Sequence, residues 1–198
     1  MFSIPDRLYH GTTKEAADQM MRNGLIDPRK WRPATDFGPA FYTTTSFDRA
    51  YKWQKHLSFR SPSKTGAVIT VGVHKRSVKA HVHLFQHATL DWAEYVLYHR
   101  LKLCRDCCRG NHADIVRGPI ADNSIVDWIE RFNERAVKSF QDQIGRFHEF
   151  ITTAPAGYRL SEAHLGTQVA FCNPDVADAI LRIEEIKYFG PASGGEET

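Results

Sequence analysis

Asp36-Phe37-Gly38-Pro39-Ala40-Phe41-Tyr42-Thr43-Thr44-Thr45-Ser46-Phe47-Asp48-Arg49-Ala50-Tyr51-Lys52-Trp53 carries a turn, a strand and a helix start in one run. Asp36 to Pro39 has the composition of a turn. Phe41 to Thr44 is aromatic and β-branched, which favours a short strand. Ser46 is placed as an N-cap, and Phe47, Ala50, Trp53 and Leu57 recur along one face of the helix that follows. Toward the N-terminus, Arg7-Leu8-Tyr9-His10 reads as a short, edge-like strand ending at Gly11. Thr12 or Thr13 then caps a helix through Arg22, with Ala16, Ala17, Met20 and Met21 on its buried side and Asn23-Gly24 as its stop.

Toward the C-terminus, Ala67-Val68-Ile69-Thr70-Val71-Gly72-Val73 is the clearest strand. Helical patterns over Leu90–Leu103 and Ile125–Phe140 flank a strand-like Ala113-Asp114-Ile115-Val116, and Gln141–Ile151 continues as helix. Thr167 to Cys172 reads as a strand. Asn173-Pro174 starts a helix carrying Val176, Ala179 and Ile180, and a last strand runs near Ile183–Phe189. Short strands and amphipathic helices alternate irregularly, so the fold class is α+β rather than a doubly wound sheet.

The chain has 198 residues, which suits a single domain over residues 2–189 with 190–198 as a flexible tail. A domain of this size buries about 70% of the surface its unfolded chain exposes, and so needs no disulfide or metal to be stable. Apolar residues at 42%, charged at 25% and aromatic at 12% exclude a disordered tail protein, a collagen-like fibre and a coiled coil. The net charge of +3 comes without a clustered basic stripe, and so does not by itself call for nucleic acid. No apolar run reaches the roughly 18 residues that span a bilayer. The N-terminal residues lack the pattern of a secretory leader. Four cysteines, with Cys107-Cys108 adjacent, make a poor disulfide framework, so the expected compartment is a reducing cytoplasm, export as an effector aside.

GxxxxGK[ST], GxGxxG, HExxH and GxSxG are all absent, which argues against a Walker or Rossmann loop, a zincin and an α/β-hydrolase. Cys104, Cys107, Cys108 and His112 offer four soft ligands, but no second knuckle stands at a distance to close a tetrahedron, so ordinary thiols are expected and no metal. His81 and His83 share a strand face and read as surface residues.

The informative constellation is Leu8-Tyr9-His10-Gly11-Thr12, then Gly38-Pro39-Ala40-Phe41-Tyr42-Thr43-Thr44, then Gly166-Thr167-Gln168-Val169-Ala170-Phe171. This order resembles the His-Tyr-Glu branch of the ADP-ribosyltransferase superfamily, shared by poly(ADP-ribose) polymerases and diphtheria-type toxins. More narrowly, Asp36-Phe37-Gly38-x-x-Phe41-Tyr42-Thr43-Thr44 together with Asp114-Ile115-Val116-x-Gly118-Pro119-Ile120-Ala121-Asp122 is similar to a largely bacterial domain-of-unknown-function family within that superfamily. The resemblance implies a split mixed sheet flanked by helices, and NAD as a substrate. His10 would bond a ribose hydroxyl, the backbone of Gly11 would hold the nicotinamide carboxamide and Tyr42 would stack on its ring. Thr12, Thr43 and Asp36 would lie along the dinucleotide. Gln168 falls where the family carries its catalytic Glu.

Cleavage of the nicotinamide bond develops an oxocarbenium-like ribose, which wants an oriented leaving group and negative potential near the sugar. A neutral Gln168 supplies position without charge, at a cost of ~10²–10³ in rate when one such group is lost. That argues against processive polymer synthesis, and the resemblance, whose narrower family carries Gln here in some variants, implies mono-ADP-ribosylation of a protein or nucleic-acid acceptor. The alternatives are NAD glycohydrolysis and a catalytically weak or dead binder of NAD or ADP-ribose. A toxin-like member would also meet a neutralising, antitoxin-type partner. Asp36, Asp114, Asp122 and Glu162 are the candidates for a substitute carboxylate. Read without the resemblance, Asp36 is equally a turn-forming residue, and Asp114 and Asp122 shape the loop about Gly118-Pro119. By the same reading His10 ends a strand, Tyr42 packs in the core and Gln168 lies on an exposed strand face.

Overall fold

The computed structural model describes residues 4–74, 78–103, 113–121, 139–153 and 166–190. Within them seven strands form one mixed sheet: β1 (Arg7–Thr13), β2 (Phe41–Thr44), β3 (Gly66–Val73), β4 (Val82–Leu84), β5 (Ile115–Pro119), β6 (Thr167–Phe171) and β7 (Leu181–Phe189). Five helices accompany them: α1 (Lys14–Asn23), α2 (Phe47–Ser58), α3 (Leu90–Arg100), α4 (Phe140–Thr153) and α5 (Pro174–Ile180). The architecture is α+β, as the irregular alternation of periods requires.

The strand order is β4-β5-β6-β2-β1-β3-β7. Only β4 and β5 run parallel; the other neighbours are antiparallel. β1 is therefore a central strand, not the edge strand that its length and composition suggested. It is zipped to β3 over its whole length, from Arg7 opposite Gly72 to Thr13 opposite Gly66. Against β2 its register consists of the pair Tyr9 and Thr44. The sheet thus consists of two well-paired groups, β4-β5-β6-β2 and β1-β3-β7, meeting at a narrow seam.

The caps lie where the side chains dictated. Thr13 accepts from the Ala16 amide, Ser46 from the Arg49 amide, and Asn173 from the amides of Asp175 and Val176. α3 stops at Arg100, short of the expected Leu103, and Lys102 takes a left-handed conformation at φ 57°. β5 runs on through Gly118-Pro119, which the sequence had suggested as a loop; Pro119 pairs with Thr167 at the end of the ladder. A side chain at 118 would start 3.0 Å from the Cβ of Phe85, which explains a glycine there.

Period-two alternation sends side chains to two faces, and each face has its own core. On one, Phe37, Trp92, Val96, Leu97, Phe147, Val116 and Ala170 are buried between the sheet, α3 and α4, with Tyr42 packed against them. On the other, Leu8, Phe41, Ile69, Val71, Val169 and Phe171 meet Ala17 of α1 and Ala177 and Ile180 of α5. Truncating a fully buried aromatic such as Trp92 to alanine costs about 3–5 kcal/mol.

Candidate functional site

The site is built on the seam. Gly11 must be a glycine because α2 crosses β1 there: a Cβ would lie 2.1 Å from the backbone carbonyl of Ala50. This close approach sets α2 against the β1 side of the seam, with Phe47 edge-on to Tyr9 at 5.6 Å between ring centroids.

His10 is half-buried, and its Nδ1 lies 2.7 Å from the backbone carbonyl of Tyr42. Its ring leans on Phe41 at 4.7 Å. Burial lowers its pKa below the usual imidazole value, opposed by the bond to Tyr42. The imidazole is therefore neutral near pH 7. Since a carbonyl only accepts, Nδ1 carries the proton and Nε2 is left as an acceptor.

Tyr42 is fixed by its hydroxyl. The amide of Phe37 donates to it at 2.8 Å, and it lies within hydrogen-bonding distance of the Gly38 carbonyl at 2.8 Å and the Thr35 hydroxyl at 3.0 Å. Burial first, then the charge of Asp36, pushes the phenol well above its ordinary pKa, so it stays protonated. The turn of residues 35–38 is thereby tied to β2. Gly38 adopts φ 81°, a conformation that favours glycine, with His99 directly above it.

Gln168 is buried at 7% exposure, not on an open strand face as its position at the head of β6 suggested. Its Nε2 donates to Oδ2 of Asp36 at 2.7 Å and to the carbonyl of Pro119 at 3.2 Å. Asp36, 4% exposed, is a buried hub and not a simple turn former. Its Oδ1 receives Nε and a terminal nitrogen of Arg100 at 2.8 and 2.5 Å, and its Oδ2 also receives the amide of Ala121 at 3.0 Å.

The two ladders fix which of these groups share a face. Thr44 stands opposite Gln168 and Tyr42 opposite Ala170, so Tyr42 and Gln168 rise from the same face. Tyr9 stands opposite Thr44, so the side chain of His10, one residue on, is directed by register to the other face, with Leu8 and Phe41. Tyr42, Asp36 and Gln168 are thus brought together through the 35–38 turn. His10 joins them through the backbone of Tyr42 and not through its side chain.

The remaining expected residues are engaged structurally. The hydroxyl of Thr43 donates to the carbonyl of Val169 at 3.0 Å. Thr12 is buried in β1 opposite Ala67. Asp114 accepts from the amide of His81 and from Nδ2 of Asn173, both at 2.7 Å, and so joins β4 to the cap of α5. Cys104, Cys107, Cys108, His112, Asp122 and Glu162 lie outside the described residues. No metal-binding group of three or more ligands is present among the described residues, and no helix there is long and apolar enough to cross a membrane. At the head of β6, a cavity of about 310 Å³ is lined by Leu84, Phe85, Gln86, Arg117, Pro119, Gly166 and Thr167.

The sequence reading missed Arg100 and the backbone groups of Ala121 and Pro119. An arginine in the last turn of a helix is ordinary complement to the helix dipole, and 64 residues separate Arg100 from the carboxylate it holds.

A family model described as "Protein of unknown function (DUF3990)" matches residues 7–181, and the chain belongs to that family. No curated protein and no solved structure matches it.

Proposed function

We propose that this DUF3990 member binds NAD at the seam between β1 and β2 and transfers its ADP-ribosyl group to one site on a macromolecular acceptor. The observation that carries the reading is the poise of Gln168. Both of its amide hydrogens are held by Asp36 and Pro119, while among the described residues nothing bonds its Oε1, on the sheet face that carries Tyr42. An oriented, unused acceptor in the position of the family's Glu suits a ribose hydroxyl. The two strand groups meeting at a seam support the split sheet that the resemblance implies.

In this reading the Tyr42 ring stacks on nicotinamide, its hydroxyl being already engaged below. His10 contributes through its bond to the Tyr42 carbonyl, which holds β1 against β2 where the ribose would lie. The Gln168 carbonyl accepts from a hydroxyl of the nicotinamide ribose and holds C1′ in line. The C1′–N bond breaks with its electron pair going to the pyridine nitrogen, so neutral nicotinamide leaves. The acceptor nucleophile bonds C1′ and gives up its proton. The carbonyl dipole stabilises the oxocarbenium less than a carboxylate does, which favours slow, single-site transfer over polymer synthesis. Water in place of the acceptor makes the same step NAD glycohydrolysis.

A second reading, a silent binder of NAD or ADP-ribose, draws on the Asp36–Arg100 pair, which leaves the cluster without net charge. A single-turnover reaction separates the readings. Enzyme in excess over NAD releases nicotinamide and labels lysate macromolecules if the first holds. Binding without nicotinamide release supports the second, and no binding overturns both.

A further inference from the structure

We infer that Asp36 and Arg100 are positioning residues that require an amide at position 168 and turn its carbonyl outward. The inference rests on the proposed NAD reading only in taking that carbonyl to face the ligand; the selection of an amide stands on the hydrogen bonds alone.

The pocket around the end of Gln168 is made of acceptors. Oδ2 of Asp36 lies 2.7 Å from Nε2 and the Pro119 carbonyl 3.2 Å from it. Pro119 is in turn fixed by the indole of Trp92, whose Nε1 donates to the same carbonyl at 3.2 Å. Asp36 cannot swing away, because Arg100 grips Oδ1 and the Ala121 amide grips Oδ2. Two fixed acceptors demand a double donor, and of the two isosteric side chains only glutamine supplies one. A carboxyl here has to keep its proton to bond either acceptor, and ionising it sets one carboxylate oxygen against another.

With both hydrogens of Gln168 committed, its Oε1 has one direction left. The chain therefore carries at 168 an amide that its surroundings match. It carries a side chain whose dipole is set by a buried ion pair, with the negative end presented. The ligand group that fits is a neutral hydrogen-bond donor, such as a sugar hydroxyl, and not a phosphate or carboxylate. Among the described residues, the charged or titratable groups around position 168 are Asp36 from the turn, Arg100 and His99 from α3, Tyr42 from β2, Arg117 from β5 and Arg49 from α2. Arg49 lies 3.3 Å from where a Cβ on Gly166 would stand.

The test is thermal unfolding of the wild type, Gln168→Glu, Asp36→Asn and the double variant between pH 5 and 8. The introduced carboxyl has a folded-state pKa above its unfolded value, so its contribution is present at low pH and lost as pH rises. The deficit of Gln168→Glu should grow by about 5 °C from pH 5 to pH 8. The double variant should be no less stable than Asp36→Asn alone. A deficit that is flat with pH, or fully additive with Asp36→Asn, overturns the inference. Should Gln168→Glu fail to fold, the wild type supplies the readout. The side-chain amide protons of Gln168 exchange slowly in NMR if the inference holds, and at the rate of an exposed glutamine if it does not. A wild type that shows this protection yet binds no NAD refutes the functional reading and leaves the positioning role intact. NAD binding without protection does the reverse.

Discussion

Arg100→Ala removes both donors from Oδ1 of Asp36 and leaves Oδ2 with the Ala121 amide and Gln168. Breaking a buried ion pair from one side costs about 3–5 kcal/mol, because the remaining charge stays in a poorly solvated place. The Arg100 side chain is 19% exposed and that of Asp36 5%, so water reaches the vacated side to some extent. Two retained N–H donors soften the loss further. The expected value is therefore at the lower end, about 3 kcal/mol. With a urea slope of about 2 kcal/mol per molar, the unfolding midpoint falls by about 1.5 M. Arg7→Ala is the control. It breaks the pair between Arg7 and Glu184, whose side chains are 64% and 36% exposed, and should cost under about 1 kcal/mol. A shift below about 0.5 M for Arg100→Ala, or one equal to that of Arg7→Ala, refutes the view that the Asp36 cluster is a tightly held buried hub.

Burial depresses the pKa of His10, so the folded state resists its protonation. That contribution is complete above the unfolded value near 6.5 and is lost as pH falls through the depressed folded value. His10→Gln should therefore lose less stability than the wild type between pH 7.5 and 5 in matched urea titrations. Tyr42→Phe orphans the Phe37 amide, while Gly38 keeps the Thr35 hydroxyl as a donor. It should cost about 1–2 kcal/mol in stability yet change NAD affinity by less than about threefold in calorimetry, a free-energy difference of about 0.65 kcal/mol. Gly11→Ala forces a methyl group onto the Ala50 carbonyl. It should destabilise by about 3 kcal/mol, the upper end for overpacking, as read from the thermal midpoint.

Local chemistry made much of this molecule legible. Thr13, Ser46 and Asn173 start their helices as cap preferences dictate, and the Ala67–Val73 run lies within a fully buried strand. What stayed hidden was set by long-range pairing. A four-residue window around His10 reads like an edge strand, because nothing in it records that β2 and β3 flank it. Asp36 reads equally as turn former and as functional carboxylate, and the partner that holds its carboxylate, Arg100, comes from a helix that brings no motif of its own. Tyr42 and Gln168 were legible as candidates, but their common face follows from the β2–β6 register, which no single segment encodes. The opposite departure of His10 follows from the same arithmetic of alternation.

The central claim is that NAD lies on the seam, and the most direct measurement is a map of backbone amide shifts in isotope-labelled protein as NAD is added. The account predicts saturable changes concentrated in residues 8–12, 35–44 and 166–170. Amide spectra unchanged at saturating NAD, or changes confined to the far strands β4 and β7, would contradict it.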